Sequence, residues 1–183
     1  MLAQHLDQSG DVRTREMGMD SQKLSKRRKQ PGHDQTFRAA EVNFYDALVA
    51  LLPAKEFLIA DKPRDLLQLL GGSYGIQPEA SIEYLRTRKK MYFEVKKQAA
   101  RGNAEERACK HHTVQFYRTL REFTGYDYHA FSTIMCDELA TLPRYVSKHP
   151  FYFEKDQYFL WVKYDRELLS GYLDRIVRRF LTR

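Results

Sequence analysis

The hydrophobic patterning of this chain predicts a mixed α/β fold, a central β-sheet flanked by helices. Three observations carry that prediction. Apolar residues recur at helical spacing near both ends: Val42, Tyr45, Leu48, Val49 and Leu52, then Leu168, Leu169, Tyr172, Leu173, Ile176, Val177 and Phe180. Between them lie short runs rich in β-favouring residues, of which the run from Lys90 to Lys97 is the clearest. The chain also has 183 residues, 43% of them apolar, enough for one domain with a sizeable core.

Taken in order, residues 1–35 stand apart. They are polar, contain the run Lys26-Arg27-Arg28-Lys29, and cannot bury enough surface to offset ordering, so they read as a basic, disordered arm. Residues 36–183 read as a single domain. Its first helix is expected from Thr36 to Leu52, stopped by Pro53. Phe57 to Ala60 is a short extended piece. A second helix, Arg64 to Leu70, follows Pro63 and ends at Gly71-Gly72.

Ile76 to Tyr84 reads as a strand, Arg86 to Lys90 as a basic turn, and Lys90 to Lys97 as the next strand. In that strand Met91, Phe93 and Val95 point to one face, and Tyr92, Glu94 and Lys96 to the other. A hairpin between the two strands can bring Glu79 beside Glu94. Asn103 is a suitable N-cap for a helix running to about Phe123, and Gly125 ends it. Ala130 to Cys136 continues the sheet. The aromatic runs Phe151 to Phe153 and Tyr158 to Val162 suggest a hairpin. The last helix is expected from Asp165 to Leu181, with Arg175, Arg178, Arg179 and Arg183 complementing its dipole.

The formal net charge is +7, which favours an acidic partner, most simply nucleic acid. The two cysteines, Cys109 and Cys136, form no CxxC pair, and no Cys/His cluster has zinc spacing. Free thiols in a reducing cytoplasm are expected. No apolar run approaches a membrane span, and the N-terminus lacks the apolar centre of a signal peptide.

Two features in the middle of the chain carry chemistry. Glu79, Glu94 and Lys96 are the groups that phosphodiester hydrolysis needs. Two carboxylates can hold Mg²⁺, and a neighbouring ammonium can orient water and offset negative charge. The second feature, Arg101-Gly102-Asn103-Ala104-Glu105-Glu106-Arg107, opens a charged helix. Asparagine can pair with adenine, arginine with guanine, and Glu105 or Glu106 with a base amino group; glycine and alanine allow close approach. Each feature alone also suits a half-exposed strand or an ordinary capped helix.

Together they form a pattern, Pro-acidic-x14-Glu-x-Lys followed closely by Gly-Asn-Ala-x-Glu-Arg. This resembles the EcoRI and MunI group of type II restriction endonucleases, members of the PD-(D/E)xK nucleases, and within it the MunI branch. The likeness is specific from Tyr74 to Lys110 and weaker at Glu41 to Tyr45, Asp61 to Pro63, Tyr117 to Thr119 and Tyr158 to Trp161. It implies a PD-(D/E)xK restriction-endonuclease-like fold and Mg²⁺-dependent cleavage of double-stranded DNA, with Mn²⁺ as a possible substitute. Glu79, Glu94 and Lys96 would be catalytic, and Glu79, Glu94 and Val95 the metal positions. Asn103, Ala104, Glu106 and Arg107, with Gly102 at the close approach, would read a central AATT. Arg101 would read an outer G·C pair. The implied site is CAATTG, cut before the first A to leave a 5′ AATT overhang. A palindrome implies a homodimer, and a cognate DNA methyltransferase would protect the same site in the cytoplasm of a bacterium or archaeon.

This chain departs from the family pattern twice. Glu79 stands where the family usually has Asp, and the extra methylene pushes the carboxylate outward. That leaves open a compensated site, a preference for Mn²⁺, slow cleavage or none. The link from Gln98 to Arg101 is also much shorter than in MunI, which leaves the flanking bases open. The alternatives are a DNA-binding protein with impaired catalysis, and a repair or recombination nuclease of the same fold.

Overall fold

In a computed structural model of the chain, residues 31–70, 76–98 and 102–183 are described. The basic arm expected over residues 1–35 lies outside them as far as residue 30. Helix α1 spans Pro31–Leu51, so it begins five residues before the expected Thr36. Proline is at home in a first helical turn, where its missing N–H costs nothing. The buried face of α1 is also rotated from the expected one. Ala40, Phe44, Ala47, Leu48 and Leu52 are buried, whereas Val42 and Val49 are each 52% exposed. Phe44 decides the rotation, since its ring packs on both Phe93 and Trp161, at 5.6 and 5.7 Å between ring centres.

The sheet has five strands in sequential order, β1 (Phe57–Asp61), β2 (Ala80–Tyr84), β3 (Lys90–Gln98), β4 (Phe131–Asp137) and β5 (Tyr158–Trp161). β1, β2 and β3 form an antiparallel meander; β4 and β5 then add in parallel. Each parallel step needs a crossover. Between β1 and β2 lies α2 (Asp65–Leu70). The β3–β4 crossover holds α3 (Ala104–Ala108), a 3-10 turn (Cys109–His111) and α4 (Val114–Thr124). The β4–β5 crossover holds three one-turn helices, α5 (Glu138–Thr141), α6 (Pro143–Val146) and α7 (His149–Tyr152).

Three expectations are corrected here. The strand expected over Ile76 to Tyr84 begins only at Ala80, after Pro78 and a bend at Glu79. The aromatic run Phe151 to Phe153 does not form a hairpin with β5. Its first two residues belong to α7, because β5 pairs in parallel with β4 and the intervening chain must cross over. The helix expected from Asn103 to Phe123 is two helices. Thr113 starts the second, its hydroxyl accepting the Phe116 N–H at 3.1 Å, and Gly125 closes it at φ +69°.

The chain ends with α8 (Arg166–Tyr172), a π-turn (Leu173–Val177) and α9 (Arg178–Leu181), a continuous helical run opened by the Asp165 cap. Leu169, Tyr172, Leu173, Val177 and Leu181 are buried against the sheet. Arg178 lies over the Phe57 ring at 4.8 Å and pairs with Asp174 at 2.8 Å, so this arginine serves packing as well as the helix dipole. A second, smaller core joins Ala104, Ala108, Met135, Leu139, Tyr145 and Phe153. It seats α3 beside the end of β3. Among the described residues no helix is long and apolar enough to cross a membrane.

Candidate active site

Two strands bring the expected catalytic side chains together. The pairing of β2 with β3 puts Ala80 opposite Phe93, and the Glu79 N–H donates to the Phe93 carbonyl at 2.8 Å. One step further along the ladder, Glu79 therefore meets Glu94. Lys96, two residues along β3, shares the face of Glu94 and its ammonium donates to the Glu94 carboxylate. Both side chains are largely covered, Glu94 at 9% and Lys96 at 20% exposure. The Val95 side chain, on the opposite face of β3, is buried in the core in register with Ile134, so it has only its main-chain carbonyl to offer a cation.

Two further charges complete the cluster. Lys62, just past β1 at φ +44°, donates to Glu41 of α1 at 3.1 Å and lies 4.0 Å from Glu79. Both residues fall within the stretches of weaker similarity noted in the sequence. Glu41, on α1, faces the cluster. Burial, then the charge of Glu94, then that of Glu41 push the Glu79 carboxyl up to about 7, against the partial relief of Lys62 and Lys96. Three carboxylates against two ammonium groups leave surplus negative charge in a partly dry place. Such an all-oxygen donor set suits Mg²⁺ or Mn²⁺. Among the described residues no three His, Cys, Asp or Glu side chains form a ready ligand group. Two carboxylates, a carbonyl and waters fit Mg²⁺, which keeps much of its hydration.

The expected reading segment begins one link later. Gly102, Asn103, Glu106 and Arg107 are exposed, and Arg107 donates its N–H to the Asn103 carbonyl at 3.1 Å. Asn103 occupies the N-cap position of α3, but its side chain makes no capping bond. Among the described residues no other side-chain partner is assigned to it, so the amide can serve a ligand. Glu105 is 1% exposed, which leaves Glu106 as the carboxylate of this turn that can reach a base. Ala104 is 2% exposed in the smaller core. Its methyl group therefore packs inward, and it serves the segment by letting α3 sit close to β3. Arg101 lies outside the described residues.

The chain matches the family model described as type II restriction enzyme MunI over residues 71–182. It belongs to that family. It is a type II restriction endonuclease, a site-specific nuclease. The type II restriction enzyme MunI of a Mycoplasma species is 25% identical over 180 residues, covering 74% of this chain and 89% of the relative. The crystal structure of MunI restriction endonuclease in complex with cognate DNA superposes with a TM-score of 0.62 at 20% identity. That match covers 81% of this chain and 97% of the solved one, and it shows the PD-(D/E)xK fold.

Within this MunI-type framework, two side chains outside the sequence pattern tie the β3–β4 crossover to the sheet, Gln98 at the expected reading segment and His112 further on. Gln98, at the end of β3, donates to the Tyr145 hydroxyl and accepts the Ala104 N–H, each at 2.5 Å. His112, after α3, lies 2.8 Å through Nε2 from the Thr133 hydroxyl, and Thr133 is the β4 partner of Glu94. Neither residue type signals such a role alone. Gln98 could have been found from the period of two that extends Glu94 and Lys96 to it. Cys109 is half-buried and Cys136 buried, both as free thiols.

Proposed function

We propose that this MunI-family enzyme hydrolyses both strands of duplex DNA at a palindrome with a central AATT. The best candidate is CAATTG, cut before the first A to leave a 5′ AATT overhang. The gathering of Glu79, Glu94 and Lys96 at one end of the sheet, next to a segment that exposes Gly102, Asn103, Glu106 and Arg107, supports the reading best. Glu79 and Glu94, with the Val95 carbonyl, would hold Mg²⁺ or Mn²⁺, whose charge would polarise the scissile phosphate and activate an attacking water. Lys96, held by Glu94, orients that water and offsets charge developing on the phosphate oxygens. Lys62 keeps Glu41 paired and lends positive charge to Glu79.

On the reading side, Asn103 offers an amide for adenine and Arg107 a guanidinium for a base-edge acceptor or a phosphate of the central AATT. Glu106 accepts from a base amino group or orients an arginine. Arg101 is assigned the outer pair on the sequence pattern. A palindrome read by one such segment per half-site calls for a two-fold homodimer. A methyltransferase acting on the same sequence is the expected functional partner.

The deciding experiment is a digest of random-sequence plasmid DNA with Mg²⁺ and then with Mn²⁺, with the cut ends sequenced. Discrete ends carrying AATT overhangs are expected, and the bases beside them identify the outer pair. Ends without a common sequence would overturn the assigned specificity. Lys96→Ala and Glu94→Ala should each lower the single-turnover rate by about a hundredfold or more, the scale of a lost charge-stabilising group. Unchanged rates would remove these residues from the site.

A further inference from the structure

We infer that Gln98 is a positioning residue that couples the catalytic strand to the DNA-reading segment. The inference rests on the reading of Gly102–Arg107 proposed above. Strand alternation makes Glu94, Lys96 and Gln98 successive side chains on one face of β3. The first two belong to the candidate catalytic cluster. The third is 6% exposed and spends its amide away from that cluster. Its oxygen takes the N–H of Ala104, the first residue of α3, which a short helix cannot satisfy internally. Its nitrogen is held by the hydroxyl of Tyr145 in α6. The Tyr145 ring lies in the small core that also buries Ala104 and Ala108. The amide is therefore fixed from two sides, and it fixes the start of α3 in turn.

Gly102 adds a second, independent observation. Its φ is +157°, and a Cβ placed there would come within 2.6 Å of the Gln98 side-chain oxygen. Only glycine lets the backbone lie directly on the glutamine. The contact thus holds the reading segment at both Gly102 and Ala104, either side of Asn103. The short link after β3 makes this arrangement possible: five residues separate Gln98 from Ala104. A shift of β3 relative to α3 would have to break the Ala104 bond. Recognition by Asn103 and alignment of Glu94 and Lys96 are therefore one mechanical unit. Seating the segment correctly on its bases sets the strand that carries the catalytic groups.

The test is the ratio of single-turnover cleavage rates on two duplexes. One carries the site recovered from the digest, and the other carries that site with one central base pair exchanged. Gln98→Met fills nearly the same volume and makes neither bond. Loss of a buried hydrogen-bonded link of this kind is expected to lower the ratio about tenfold. A merely structural role would lower the active fraction equally on both duplexes and leave the ratio unchanged. That result, from a variant whose thermal melt shows it folded, overturns the inference. Tyr145→Phe deletes only the hydroxyl that holds Gln98 and keeps the ring. It should lower the ratio in the same direction, about threefold, and it decides the question if Gln98→Met does not fold. Asn103→Ala separates recognition by the segment from its coupling to β3. If Asn103→Ala leaves the ratio at the parent value, the reading segment itself is misassigned. If Asn103→Ala abolishes discrimination while Gln98→Met and Tyr145→Phe retain it, the segment is right and the coupling is wrong.

Discussion

Glu79 differs from the family's usual aspartate by one methylene, and its surroundings give that difference a measurable signature. Burial and the neighbouring Glu94 and Glu41 carboxylates raise its carboxyl to about 7. With Glu79 as the proposed metal ligand, protons would compete with the cation across the neutral range. Below pH 7, each unit should cost about tenfold in apparent metal affinity. Single-turnover cleavage should show an acid limb that moves about one pH unit lower for each tenfold rise in Mg²⁺. An acid limb indifferent to Mg²⁺ would take Glu79 out of the metal site. The same shift has a consequence for stability. A carboxyl whose folded pKa is raised favours the folded state below its unfolded value of 4.5, and that advantage is lost as pH rises through about 7. Glu79→Gln should thus abolish cleavage yet stabilise the metal-free protein above pH 7. The side chain retains 18% exposure, so the gain should be modest, about 1–2 kcal/mol. Thermal melts with and without Mg²⁺ check it, since only the parent should respond strongly to the cation.

Among the elements, the β3–β4 crossover is where sequence and structure part most. The strands of the β2–β3 hairpin follow from alternation and a basic turn, and β3 runs from Lys90 to Gln98 close to its expected limits. The hairpin also brings Glu79 to Glu94, as the alternation implies. A continuous helix from Asn103, by contrast, misses the stop at His112. Helical spacing reads across that stop, because Ala104, Ala108 and Leu120 are buried on both sides of it. The signal for the stop is Thr113, a residue that competes for backbone hydrogen bonds and favours caps. Val114 is 65% exposed and Phe116 buried, so the second helix turns a different face inward. Thr113→Ala should cost about 1 kcal/mol, the usual worth of a hydroxyl cap. Denaturant unfolding measures the loss. Cleavage discrimination should be unaffected if α4 is a support rather than part of the reading surface, whereas a changed cleavage ratio would extend the reading unit into α4.

For the whole molecule, the strand order could not be read from composition. The choice between a hairpin and a parallel addition for the aromatic runs depends on a crossover, and Phe151 to Phe153 favours β structure locally. Tertiary context overrides this, with Tyr158–Trp161 taking the outer parallel position beside β4. That arrangement walls in a group of histidines. His111 stacks on Phe131 at 4.5 Å, His112 sits edge-on to Phe153 at 4.8 Å, and the His129 ring nitrogen meets the His111 carbonyl at 2.9 Å. Burial holds their pKa values down to about 2, 3 and 4 respectively, and lowers that of His149 as well. A histidine with a depressed folded pKa favours the folded state above its unfolded value of 6.5 and loses that contribution as pH falls towards the folded value. Glu79 works in the opposite direction, but it is one group against several. Each such histidine contributes about 1.4 kcal/mol per pH unit over that window, against a total stability of about 5–15 kcal/mol for an ordinary domain. The domain should therefore unfold cooperatively at mildly acidic pH, about 4–5, well above the values at which the buried histidines would titrate in the folded state. Far-ultraviolet circular dichroism across that range measures the midpoint. His111→Leu, which removes one titrating ring packed on Phe116 and Phe131, should move the midpoint to lower pH and flatten the fall in melting temperature between pH 6.5 and 5. A melting temperature that stays level over that interval in the parent would mean that these rings are accessible to protons in the folded protein.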